Sequence, residues 1–421
     1  MNSKISSYES FNEFTKRGAE LGIGLRTIEN DTFDGRIIIL DGKPKKFFGN
    51  CSYLGLETDT RVKAAAIDAI TRQGICLSCS RHYLSTNDSK ILSDLLENIF
   101  GQPCLLMPMT NLASAAIITT RISSKDAIFL DQQVHTSVNI SVNAARVKGT
   151  FTSIIPHNRM DILEERIQSI YDKYESIWYM ADGVYSMFGD KVHMKDLYDL
   201  MDKYPKLKVF VDDAHGLSWA GEKGIGSALN QVSYFHSRLY FVASLAKGFG
   251  GQGGVAVFPN EKERDIVKNT SPQHIFLSPL NNAVIGANIA CAKIHLSNEM
   301  TGIQNELKEL ISVFASTCKL LEIPLVNPDN DSPIFYIGTG TSELAILFSQ
   351  RLLQSGFYVN IASSPVVPRK HAGMRIVLTR HLNEEDIKSL LYLIHELLNE
   401  LLPVYNIEPE SISKAFEPYF V

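Results

Sequence analysis

Tyr240-Phe-Val-Ala-Ser-Leu-Ala-Lys247-Gly-Phe-Gly-Gly-Gln-Gly-Gly254 is an apolar run that ends in a small hydroxyl residue, with a lysine three positions on and glycines after it. The run reads as a buried strand. The glycines let the chain turn sharply and approach a ligand closely. Lys247 therefore stands on a loop just past a strand, against an apolar wall. Desolvation there lowers the pKa of an amine. A neutral amine is what Schiff-base chemistry with an aldehyde requires. From this stretch alone, a solvent-exposed loop lysine is an equally good reading.

Working outward, Lys208-Val-Phe-Val-Asp212-Asp213-Ala-His215-Gly-Leu-Ser-Trp-Ala-Gly221 repeats the pattern, with two acids and a histidine at the end of an apolar run. Two such strand ends present an acid, a histidine and a lysine at one rim of a sheet, where open α/β sheets bind ligands. Pyridoxal phosphate needs that set. A lysine holds its aldehyde, and an aspartate keeps the pyridine nitrogen protonated.

The two stretches together resemble the α-oxoamine synthases, pyridoxal-phosphate enzymes of fold type I. That family shows Asp-Glu-Ala-His with spaced glycines, then Ser/Thr-x-x-Lys with Gly-x-x-Gly-Gly. This chain reads Asp212-Asp213-Ala214-His215 and Ser244-Leu-Ala-Lys247. Within the family the resemblance is to the autoinducer-synthase and 8-amino-7-oxononanoate synthase branches, and it runs from about Phe47 to Leu401. It implies an α/β fold. A large pyridoxal-phosphate domain with a mostly parallel sheet covers residues 46–275, after an N-terminal arm, 1–45. A smaller α+β C-terminal domain covers 276–421.

The chain has 421 residues, 45% hydrophobic and 21% charged, with a net charge of −5. These are values of a globular protein with a large core. No basic field argues for nucleic acid or an anionic membrane. No apolar run is long enough to span a bilayer, and the N-terminus has no signal-peptide block, so a cytoplasmic protein is expected. Six cysteines do not suggest a disulfide framework. Cys76-Leu-Ser-Cys79, with His82 nearby, has no second pair at finger spacing. Buried reduced thiols are expected there, and no metal.

Other segments carry weaker signals. Arg36-Ile-Ile-Ile-Leu40 ends in Asp41-Gly42, a hairpin turn. The resemblance implies that this arm packs across a dimer. Val62, Ala65, Ala66, Ala69 and Ile70, closed by Gly74, mark a helix; Leu92, Leu95, Leu96 and Ile99 mark another before Gly101. Strands alternate with helices from about Leu105 to Val257, which predicts a mostly parallel sheet. Ile387, Leu390, Leu391, Ile394, Leu397, Leu398 and Leu401 form one face of a late helix.

The resemblance assigns the remaining site residues. Thr110 and Asn111 fall where a strand-to-helix turn holds the cofactor phosphate, which suits an anion at a helix N-terminus. His135, in Asp131-Gln-Gln-Val-His135, stacks on the pyridine ring. His215 and Ser186 bind the ring oxygen. Ser244 holds phosphate, and Ser278 does so for the partner subunit. Arg375, in Gly373-Met-Arg375-Ile, clamps the substrate carboxylate as a planar fork. Gly49-Asn50-Cys51-Ser52-Tyr53-Leu54-Gly55-Leu56 departs from the family pattern. Cys51 stands where relatives have a substrate-binding asparagine. For His135, Ser186 and Arg375 the rival readings are a core histidine, a turn serine and a solvent-facing arginine.

The expected activity is condensation of an amino acid with an acyl thioester, from coenzyme A or a carrier protein, with loss of carbon dioxide. A homodimer is expected. An aminotransferase or aldolase is the first alternative. A non-catalytic subunit of a heterodimer, a type that typically lacks the lysine, is the second.

Overall fold

The computed structural model describes residues 7–364 and 366–417. Seven strands form the main sheet. They are β1 (Cys104–Met107), β2 (Ala127–Asp131), β3 (Phe151–Ile155), β4 (Ile177–Asp182), β5 (Leu207–Asp212), β6 (Leu239–Ser244) and β7 (Gly254–Val257). Their spatial order is β1-β7-β6-β5-β4-β2-β3. Four neighbouring pairs are parallel, and only the two pairs made by β7 are antiparallel. Six strands therefore end at the same edge, and β7 begins there.

Burial on both faces explains why these strands read as unbroken apolar runs. Every residue of β1, β2, β4, β6 and β7 is buried. Trp178 of β4 lies 4.9 Å, centroid to centroid, from Tyr240 of β6. Each such side chain contributes roughly 1.5–3 kcal/mol by leaving water. The polar residues that break the runs lie at one end, so apolar packing fixes the register and leaves the functional ends at the rim.

The chain divides into two compact units: residues 54–186 with 191–305, and residues 1–53 with 187–190 and 306–421. This division and the boundary expected after residue 275 part over residues 276–305. The helix Asn282–His295 packs on Thr60–Gln73, within the larger unit.

The smaller unit is α+β. Ile37–Leu40 and Lys43–Phe47 pair through Leu40 and Lys43, leaving Asp41 and Gly42 as the turn. Both have positive φ, 51° and 67°, the geometry that suits a tight hairpin. Phe357–Tyr358 adds a third, parallel strand. Arg36 and Lys46 reach the buried Asp386 carboxylate at 2.7 and 2.9 Å. The expected arm is thus woven into its own C-terminal unit from Arg36 onward. A second sheet places Gly373–Val377 between Ile334–Gly338 and Asn360–Ala362. The late helix runs from Glu384 to Val404 and opens with a capping box of Asn383 and Asp386. No helix among the described residues is long and apolar enough to cross a membrane.

Candidate active site

A cavity of about 410 Å³ opens at the edge where the six strands end. Met109 and Thr110 follow β1, His135 follows β2, and Asp182, Asp212 and Ser244 end β4, β5 and β6. All of them line it, together with Lys247, His215 and Asn111. Topology alone brings Pro108 and Lys247, 139 positions apart, onto one cavity.

Lys247 is half-buried, three residues past the end of β6. Its loop is held by its own backbone: Gly250 N–H donates to the Lys247 carbonyl at 3.0 Å, and Leu245 N–H to that of Gly253 at 3.0 Å. Asn288, fully buried on Asn282–His295, grips the same loop from outside. Its side-chain oxygen accepts from Gln252 N–H at 3.2 Å and its amide donates to the Gln252 carbonyl at 2.8 Å. Gln252 itself lines the cavity.

The two acids of the Asp-Asp-Ala-His stretch face different surroundings, as strand alternation dictates. Asp212 lines the cavity, whereas Asp213 does not. Burial raises the pKa of Asp212, while Lys247 and His135 pull it back down. Asp213 is completely buried. Three segments crowd its carboxyl: a Cβ on Gly183, Gly216 or Gly226 would stand 2.1, 1.9 or 2.4 Å from a carboxyl oxygen. Ala228 N–H donates to its Oδ2 at 3.1 Å, and Oδ1 has no partner. Burial pushes its pKa to about 7.

Asp182 is the residue that sequence reasoning missed. It pairs in register with Asp212 on the neighbouring strand and accepts from His135 N–H at 2.9 Å. Burial, then the Asp212 charge, hold its carboxyl well above the usual range. Burial raises both carboxyls, but Lys247 and His135 draw Asp212 back down while the Asp212 charge pushes Asp182 further up, unequal surroundings of the kind that divide roles within carboxyl pairs. The only sequence signal was that both strands end in an acid.

His135 caps the helix Thr136–Val147: Ser137 N–H donates to its Nδ1 at 3.2 Å. That bond leaves Nδ1 as an acceptor and the ring neutral. Shielding from solvent lowers its pKa, opposed by Asp212 and aided by Lys247. His215 is buried, and its carbonyl accepts from Trp219 Nε1–H at 2.7 Å.

Thr110 begins the helix Thr110–Arg121, whose N-cap, Met109, makes no side-chain capping bond. The first amides are thus left for a ligand. A Cβ on Gly254 would stand 2.6 Å from Thr110 N, so only glycine lets β7 approach this turn. Ser244 Oγ accepts from Ala246 N–H at 3.2 Å. The set suits pyridoxal phosphate: an amine for its aldehyde, a buried acid, a neutral ring to stack on, and an open helix N-terminus for its phosphate.

Ser186 and Ser278 are not among the residues lining the cavity. Ser186 is half-buried after β4, and Ser278 is exposed on the segment after Pro272–Ile275. Cys51 and Arg375 belong to the smaller unit. There Arg375 Nη2 approaches Cys51 Sγ at 3.9 Å. Tyr53, fully buried, interacts with both, and burial raises its pKa well above the ordinary value. All six cysteines are free. Cys76 is exposed and Cys79 half-buried. The expectation of buried thiols there is thus corrected: the Gly74–Arg81 segment runs on the surface between two helices.

The family model described as aminotransferase class I and II matches residues 51–394. An 8-amino-7-oxononanoate synthase of Thermoanaerobacter pseudethanolicus is 27% identical over 84% of this chain and 87% of its own. A serine palmitoyltransferase of Bacteriovorax stolpii is 25% identical over 90% and 88%. Among solved structures, a serine palmitoyltransferase from S. paucimobilis with bound PLP and myriocin superposes with a TM-score of 0.85. It is 20% identical and covers 95% of this chain and 99% of that one. An 8-amino-7-oxononanoate synthase from Francisella tularensis gives 0.68 at 22% identity, covering 85% and 98%. At these identities the structures establish a shared fold.

Proposed function

The chain belongs to the aminotransferase class I and II family, and on that premise we propose that it condenses an amino acid with an acyl thioester, releasing carbon dioxide and leaving an α-aminoketone. The observation that carries this is the convergence of Lys247, Asp212, His135 and an uncapped helix N-terminus on one cavity. The curated relatives bearing the names 8-amino-7-oxononanoate synthase and serine palmitoyltransferase support the reaction class.

When bound, pyridoxal phosphate supplies the electron sink that makes loss of a carboxylate or an α-proton possible. Lys247 provides the amine for its aldehyde and afterwards moves the α-proton. Asp212 would pair with the ring nitrogen and keep it protonated. Asp182 holds the His135 backbone N–H. His135 would stack on the ring. His215 and Ser186 take the ring oxygen. Thr110, Asn111 and Ser244 hold phosphate, with Ser278 of the partner subunit completing that site in a homodimer. In the smaller unit, Arg375 takes the substrate carboxylate beside Cys51. We place the enzyme in the cytoplasm.

The test is a purified protein offered a panel of amino acids with coenzyme A and carrier-protein thioesters. Thiol release that requires both substrates, with an aminoketone product, is expected. Amino transfer to a 2-oxo acid without thiol release would identify an aminotransferase instead. For the dimer, sedimentation should find two copies; a monomer active at full rate would refute the role of Ser278.

A further inference from the structure

A second cavity, of about 600 Å³, lies against β1 in the larger unit. Leu105 and Leu106 form part of its wall, and two residues further on Pro108 begins the wall of the candidate active site. Beside it, Ser80 Oγ–H donates to the Ile275 carbonyl at 2.7 Å, joining the neighbours of Arg81 and His274.

The cavity holds an uncompensated cation. Arg81 is half-buried, and its guanidinium donates to the Leu106 carbonyl at 2.7 Å. No carboxylate pairs with it among the described residues, and burial lowers its pKa to about 10. A cation removed from water without a counter-ion is costly unless an anion joins it. His274, only 5% exposed, also lines the cavity; burial and then the Arg81 charge hold its ring neutral, with a pKa of about 4. Lys90 and Lys268 stand on the exposed walls. Two acids also line the cavity, but Glu97 is engaged by Arg264 at 3.2 Å, which leaves only the exposed Asp94 against the free cations.

We propose that this cavity binds the phosphate that heads the pantetheine arm of the acyl donor, with Arg81 as its principal ligand. The proposal rests on the acyl-thioester reading above. The chain between Leu106 and Pro108 spans at most about 7 Å. The two cavities are therefore adjacent, within reach of the arm that separates a donor's phosphate from its thioester. Arg81 presents the planar fork suited to phosphate oxygens. Free coenzyme A and a carrier protein both bring this phosphate.

Titration calorimetry of the cofactor-loaded protein with coenzyme A, with a holo acyl carrier protein, and with phosphate-free pantetheine separates the cases. At least one of the first two should bind about tenfold or more tightly than pantetheine. Arg81→Ala should erase that advantage and leave pantetheine affinity unchanged. Lys268→Ala, an exposed change that keeps the fold, should weaken the same ligand several-fold in a salt-sensitive way. Whichever ligand shows this dependence is the source. Unchanged affinity for both in Arg81→Ala, or in Lys268→Ala should Arg81→Ala fail to fold, overturns the proposal. An equal loss for pantetheine does so too. Condensation with an S-acyl pantetheine tests the reaction separately: its failure counts against the proposed function and leaves the binding result standing.

Discussion

The rim of the seven-stranded sheet and the Cys51–Arg375 pair of the smaller unit differ in what holds them. At the rim, each functional side chain ends an apolar strand or follows it within a few residues, so burial of the strands fixes its position. In the smaller unit, Arg375 stands in a three-stranded sheet and its neighbour is a thiol, a weak hydrogen-bond partner. The first region matches the family's motifs, while the second departs from them at Cys51. On the proposed function, the contrast would put the chemistry at the rim and the choice of amino acid in the smaller unit.

The sharpest way to break that division is at Lys247. Lys247→Ala should lower turnover on the order of 10³-fold or more and abolish any borohydride-reducible cofactor adduct. A reduced cofactor found on another lysine would move the chemistry elsewhere. Asp212→Ala removes one partner of a buried charge pair, about 3–5 kcal/mol, or roughly 10²–10⁴-fold in rate.

Asp213 should behave differently. Its pKa is raised to about 7, so the fold favours its neutral form. The stability this gives is intact below about pH 4 and is lost as pH rises through 7. Asp213→Asn should retain most turnover at neutral pH. Its melting temperature should gain on the wild type between pH 5 and 8, by an amount reflecting a few kcal/mol at about 1.4 kcal/mol per pKa unit. A pH-independent difference would show that Asp213 is already ionised in the fold. Loss of turnover as large as that of Asp212→Ala would exchange the two roles.

Arg375→Ala tests the other side of the comparison. Losing a charged hydrogen bond costs about 1.5–3 kcal/mol, roughly tenfold to a hundredfold. Turnover should fall by that much for every amino acid, with the reaction type unchanged. Cys51→Asn is the smallest expected effect: a change of a few-fold in the preference among amino acids, read from their relative kcat/KM values.

What could be read from the chain follows the same divide. The strands and the Lys247, Asp212, His135 and His215 positions were legible because strands buried on both faces leave unbroken apolar runs with polar ends. Asp182 was not, because its importance depends on its register with Asp212 across the sheet. Asn288 carries no signal at all: an amide inside a helix becomes meaningful only when its partner, the Gln252 peptide, is seen. The N-terminal hairpin was legible as a hairpin. Its membership of the C-terminal unit rests on Lys46 pairing with Phe357 and on Arg36 meeting Asp386, contacts between distant parts of the chain. Cys76 and Cys79 were misplaced because their burial depended on the path of a surface segment, which local pattern does not fix.

The most direct measurement follows carboxyl-labelled amino acid and thioester together, in the wild type and in Arg375→Ala. The proposed function predicts labelled carbon dioxide and free thiol in equal amounts in both proteins, with only the rate reduced in the variant. Thiol released without carbon dioxide, or carbon dioxide without thiol, would contradict a decarboxylative condensation. A ratio that changes with Arg375→Ala would contradict the assignment of the chemistry to the rim alone.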